Sequence, residues 1–106
     1  MKERRKHRRF SASHHVSFSY NGRTRTSNTV DLSLGGVRIE TVFPVKVGEV
    51  IQVSIVIGGN TISPVGRVVH GRERLDLRYD AGFYFEALGQ EERDYLLSYL
   101  ARLSRP

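Results

Sequence analysis

The chain has 106 residues, 39% hydrophobic and 26% charged, with no cysteine and a formal net charge of +6 at pH 7. That length supports one domain with a single modest core, and the balance of apolar and charged residues belongs to a folded chain rather than a disordered one. Disulfides and thiolate metal sites are excluded, no apolar run approaches the roughly 20 residues of a membrane-spanning helix, and no apolar stretch follows the basic start as in a secretory signal.

The first element is that basic start. Lys2, Arg4, Arg5, Lys6, Arg8 and Arg9 face only Glu3 in the first ten positions, leaving eleven basic and ten acidic residues for the rest of the chain. The positive excess is therefore local, which suits a compact anionic partner or a flexible arm better than a surface laid along nucleic acid. Arg5 and Arg9 are four apart and fall on one side of either an extended or a helical segment. Two guanidinium forks so placed suit phosphodiester oxygens or the O6/N7 edge of guanine. A solvated basic tail fits the same stretch. Mutual repulsion and few apolar side chains predict a flexible arm over residues 1–12 that an anionic ligand would order, with one folded domain over 13–106.

Strands follow. Val16, Phe18 and Tyr20 alternate with serines, and Asn21-Gly22 is a hairpin-turn pair that leads into a second strand over 23–32. After Asp31-Leu32-Ser33-Leu34-Gly35-Gly36 the alternation resumes at Val37-Arg38-Ile39-Glu40. A β-branched strand is predicted over 50–57, a turn at Gly58-Gly59-Asn60, and two more strands over 61–71 and 81–87. The charged stretch 72–80 separates the last two. Short strands at this spacing predict a closed barrel or a sandwich. The one helix is predicted over 90–104, or about 90–105, with Leu96, Leu100 and Leu103 forming a stripe that Leu97 and Tyr99 widen. Glu91 and Glu92 suit its first turn.

Within this frame Asp31-x-Ser33-x-x-Gly36 can carry chemistry. On an extended strand Asp31 and Ser33 would face outward and Leu32 and Leu34 inward, making a small polar platform. An ionised Asp only accepts hydrogen bonds, which matches the N1–H and N2–H₂ donors of guanine. Ser33 can donate or accept, and Gly36 permits a positive φ or close approach of a ligand. An ordinary Asx-type turn accounts for the same residues. Neither His14-His15, at a strand start, nor the isolated His7 and His70 has metal-ligand spacing, and no nucleophile elbow or paired carboxylates suggest an enzyme.

Taken together, Arg4-Arg5-Lys6-His7-Arg8-Arg9 before the first strand and Asp31-Leu32-Ser33-Leu34-Gly35-Gly36 between the second and third resemble the PilZ family of bacterial cyclic di-GMP receptors. The resemblance continues through Gly66-Arg67-Val68-Val69, Gly82-Phe83-Tyr84-Phe85 and the closing helix. It implies an all-β fold with a C-terminal helix, a six-stranded antiparallel β-barrel. Arg4, Arg5 and Arg9 would clamp phosphates and guanine faces, while Asp31, Ser33 and Gly36 hold the other guanine edge. The ligand implied is cyclic di-GMP, with no other cofactor and no metal. Arg4, directly before Arg5-x-x-x-Arg9, implies that it binds as a stacked dimer. The function implied is a cytoplasmic receptor without catalysis and without membrane contact. With no output domain in the chain, it would signal to an unidentified downstream protein through an altered surface. The competing reading from another class is a small β-barrel that binds RNA or DNA through its basic arm, betrayed by a steep salt dependence. An adaptor that binds no nucleotide is a third, against which the intact arginines argue.

Overall fold

A computed structural model describes residues 8–11, 13–42 and 44–103. Apolar side chains at every second position give each strand one face to bury, and the strands are β1 (Phe10–Ser11), β2 (His15–Tyr20), β3 (Arg23–Leu32), β4 (Gly36–Thr41), β5 (Val50–Ile57), β6 (Asn60–Ile62), β7 (Val65–Glu73) and β8 (Tyr79–Ala87), followed by α1 (Gln90–Leu103). Six of them close in the order β3–β2–β5–β7–β8–β4, with β4 pairing back onto β3 and every pairing antiparallel. This is the expected six-stranded barrel. Closure leaves no free edge among these six. The two short strands are additions: β1 runs along the same edge of β3 as β2, and β6 folds back on β5.

The core lies inside the barrel. Val16 and Phe18 of β2, Leu32 of β3, Val37 and Ile39 of β4, alternate residues of β5 from Ile51 to Ile57, Val68 of β7 and Ala81, Phe83 and Phe85 of β8 are all buried there. Leu96 and Leu100 of α1 join the same cluster, with Tyr95 and Tyr99 packed beside them. The Tyr95 hydroxyl donates to the Ile57 carbonyl at 2.6 Å, and Tyr99 Oη lies 3.2 Å from His14 Nε2. The helix therefore sits where β5 ends and β2 begins.

Three expectations are corrected. The strand predicted over 61–71 is broken at Ser63-Pro64, where proline supplies no N–H to a ladder, and it continues as β7 to Glu73. The charged stretch 72–80 is strand at both ends, 72–73 and 79–80, where Arg72 pairs opposite Asp80 and opposite charges suit facing positions. On α1 the buried stripe is narrower than predicted: Leu97 and Leu103 are exposed. Residues 104–106 lie outside the described residues.

Candidate functional site

The site begins with an interruption in strand alternation. Along β3 the inward face carries Thr29, which is buried, so an uninterrupted strand would also turn Asp31 inward. Instead the register against β4 shifts, with Thr29 opposite Ile39 but Asp31 opposite Arg38, leaving Val30 as the extra residue of a bulge. A bulge re-aims the side chains beyond it. Leu32 becomes fully buried, and Asp31 faces the outer surface.

There Asp31 lies between two arginines. Arg9 Nε is 3.1 Å from Asp31 Oδ1, and Arg38 Nε is 3.2 Å from Oδ2. The pairs are close enough for charge, but neither Asp31 Oδ1 nor Arg38 Nε makes an aligned hydrogen bond. The Asp31 side chain retains 14% of its exposure and that of Arg38 39%. Two cations share one carboxylate, so the cluster has one positive charge over and hydrogen-bonding capacity unspent.

Arg9 reaches Asp31 because the chain just after it is tied down. Phe10 pairs opposite Leu32 and packs on the core, Ser11 pairs opposite Asp31, and the Arg8 guanidinium lies 5.1 Å over the Phe10 ring. The arm predicted over 1–12 thus contains strand-paired residues at 10–11, because Phe10 is the first large apolar side chain after Met1. Arg4 and Arg5 lie outside the described residues, as does His7.

Ser33 does not join Asp31 on an outer platform. The strand ends at Leu32, and Ser33 is buried in the turn to β4. Its hydroxyl accepts from the Gly35 and Gly36 amides at 3.2 and 3.1 Å, and its own amide donates to the Gly36 carbonyl at 2.9 Å. This is the local turn chemistry typical of Ser. Leu34, expected inward, is partly buried against the core. Gly36 is needed for packing: a Cβ there would lie 2.3 Å from the Phe83 carbonyl oxygen, so only glycine lets β4 approach β8 this closely. Its φ is not positive.

Arg38 is the residue that sequence reading passed over. Its signal was its place, outward on β4 two positions beyond Gly36 and flanked by the inward Val37 and Ile39.

Other polar groups are already engaged. Tyr20 donates to Glu49 at 2.7 Å, which raises the phenol above its usual range and holds the carboxyl down. Arg67 pairs with Glu86, which raises its already high basicity further. Burial holds the His14 imidazole below its ordinary value. Among the described residues no group of three or more His, Asp or Glu could hold a metal, and no helix is long and apolar enough to cross a membrane.

The PilZ domain model matches residues 3–102. The chain belongs to the PilZ domain family. No curated protein sequence is a significant match. Among solved structures the barrel is similar to the inhibitor of motility MotI from Bacillus subtilis, with a TM-score of 0.87 at 16% identity, covering 96% of this chain and 52% of that one. It is also similar to YcgR from Escherichia coli in complex with c-di-GMP, with a TM-score of 0.83 at 20% identity over 97% of this chain and 47% of that one. The PilZ domain of YcgR with c-di-GMP gives a TM-score of 0.77 at 18% identity, covering 95% of both chains. The chain thus spans about half the length of the first two proteins, and at these identities the likeness establishes the fold.

Proposed function

We propose that this PilZ domain is a cyclic di-GMP receptor without catalytic activity, acting in the cytoplasm and signalling through a changed surface to a downstream protein. The observation that carries the proposal is the Arg9–Asp31–Arg38 cluster, aimed outward by the Val30 bulge and joined by β1 to the arginine-rich segment. Family membership and the c-di-GMP complexes of YcgR support the choice of ligand.

In this reading residues 1–12 act as the ligand arm and 13–106 as the barrel. Arg4, Arg5 and Arg9 meet phosphates and guanine faces in charge-assisted, planar contacts. Asp31 turns from its arginines to the N1–H and N2–H₂ donors of a guanine. Ser33 and Gly36 act beside it by holding the turn from which the Asp31 strand end emerges, and the amides they order lie next to the ligand edge. Arg4 favours two ligands per chain, stacked as a dimer.

Calorimetric titration tests the proposal, with cyclic di-GMP as ligand and GMP as control, repeated across a range of salt. Saturable binding of cyclic di-GMP with a shallow salt slope is expected, ending at two ligands per chain. A nucleic-acid arm would instead lose affinity steeply with salt as counterions are released, and would leave cyclic di-GMP no better than GMP.

A further inference from the structure

A second bulge faces the first across the barrel wall. Between β7 and β8 the register steps from Val68 opposite Phe83 to His70 opposite Gly82, with Val69 extra. Uninterrupted alternation from the buried Val68 would turn His70 inward; the bulge turns it out, and it is exposed. On β8 Ala81 and Phe83 point into the core, so Gly82 lies on the outer face, opposite Arg38 of β4. One outward row therefore crosses four strands: Asp31 on β3, Arg38 on β4, Gly82 on β8 and His70 on β7. Its two ends are each aimed outward by a bulge.

The middle of the row is a shelf. Gly82 is buried, and the exposed His70 ring seated on it forms the shelf's surface: a Cβ on Gly82 would lie 2.2 Å from His70 Nε2. Arg38 borders the shelf on the other side. Its Nε is buried against Asp31 while its side chain as a whole is 39% exposed, so the exposure lies on the remainder of the side chain. An exposed imidazole seated over Gly82, with a guanidinium plane beside it, suits a flat, electron-rich ring system with acceptors at its rim. Cyclic di-GMP carries two such rings, and Asp31 can satisfy only one.

We propose that Arg38, with His70, forms a further binding position for cyclic di-GMP, taking a second guanine against the exposed His70 ring beside the one held at Asp31. The inference rests on the receptor reading above. Arg38 is more than a counter-ion for Asp31. It sits on a strand paired on both sides, opposite Asp31 and opposite Gly82, so the fork keeps its place beside the shelf when Asp31 turns to a guanine.

The test is titration of Arg38→Met, Arg38→Lys and His70→Ala with cyclic di-GMP, with thermal unfolding to check that each is folded. Arg38→Met keeps the apolar stem and loses the fork, and affinity should fall about 10-fold or more, as for loss of a charge-assisted hydrogen bond. Arg38→Lys keeps the charge beside Asp31 but not the plane, and should recover only a small part of that loss. His70→Ala should weaken binding by about 3- to 10-fold, a loss within the range for one stacking contact. Full recovery in Arg38→Lys would reduce Arg38 to a positioning charge and overturn the proposal, as would wild-type affinity in Arg38→Met or in His70→Ala. If the unmutated protein fails to bind cyclic di-GMP at all, the receptor reading itself falls, and this inference with it.

Discussion

Two arginine clusters lie one step apart on the outer face of β4, and they are built in opposite ways. Arg38 and Glu40 are two residues apart, about 7 Å along the strand. Around Arg38, two arginines share the single carboxylate of Asp31. Around Glu40, Arg74 and Arg78 meet three carboxylates: both pair with Glu40, and Arg74 also reaches Asp76 at 3.3 Å and Asp80 at 3.6 Å. A cleft of about 370 Å³ opens beside Glu40, lined by Thr26, Asn28, Thr41 and Arg78. Concavity alone would favour that end. Charge reverses the choice: around Glu40 three carboxylates outnumber two arginines and leave no cation for an anionic ligand, whereas the Asp31 cluster keeps a cation and an acceptor in reserve.

The sharpest way to break this comparison is to separate folding from binding on adjacent residues of β3. Leu32→Ala empties a fully buried position and should cost about 2–5 kcal/mol of stability. Its neighbour Asp31 faces out, so Asp31→Ala should leave the unfolding midpoint nearly unchanged. Denaturant unfolding of both variants checks this, and the reverse ranking would mean that the bulge does not turn Asp31 outward.

Binding should then divide the two clusters. Asp31→Ala should weaken cyclic di-GMP binding by about 1.5–3 kcal/mol, the range for a hydrogen bond to a charged group. Glu40→Ala should leave affinity as it was. Equal losses in a calorimetric titration would show that bulk surface charge, not the Asp31 cluster, holds the ligand.

Gly36→Ala asks whether the motif's glycine serves packing or ligand. With its Cβ 2.3 Å from a backbone oxygen, the substitution should cost about 1–3 kcal/mol of stability by forcing β4 from β8. A stable Gly36→Ala that no longer binds would instead give the residue a direct ligand role.

The smallest effect concerns His14, which ties the start of β2 to α1. Its folded pKa lies below 6.5, so the unfolded chain takes up the proton more readily. Its contribution to stability is complete above about pH 6.5 and is lost as the pH falls through the folded value. Melting temperatures taken on acidification should fall less in His14→Gln than in the unmutated protein. Parallel slopes would show that the imidazole is not held neutral by burial.

The barrel was legible because β-branched alternation and the Asn21-Gly22 turn are local signals; both turn residues have positive φ, 54° and 77°. The bulges were not. Val30 and Val69 are apolar β-branched residues that read as ordinary strand, and only cross-strand register reveals them as extra. Asp31 was assigned the correct face because Leu32 beside it sets the local phase. Ser33 was misplaced because a period-two reading does not show that the strand has ended. Arg38 and Arg9 came to Asp31 through pairings with separate strands, information that no local window contains.

The most direct test of the central claim is a side-by-side calorimetric titration of the protein with cyclic di-GMP and cyclic di-AMP. The two share their phosphates and differ in the base edges that Asp31 and the arginines would read. Saturable heat is expected with the guanine ligand and little with the adenine one. Equal binding of both would contradict it.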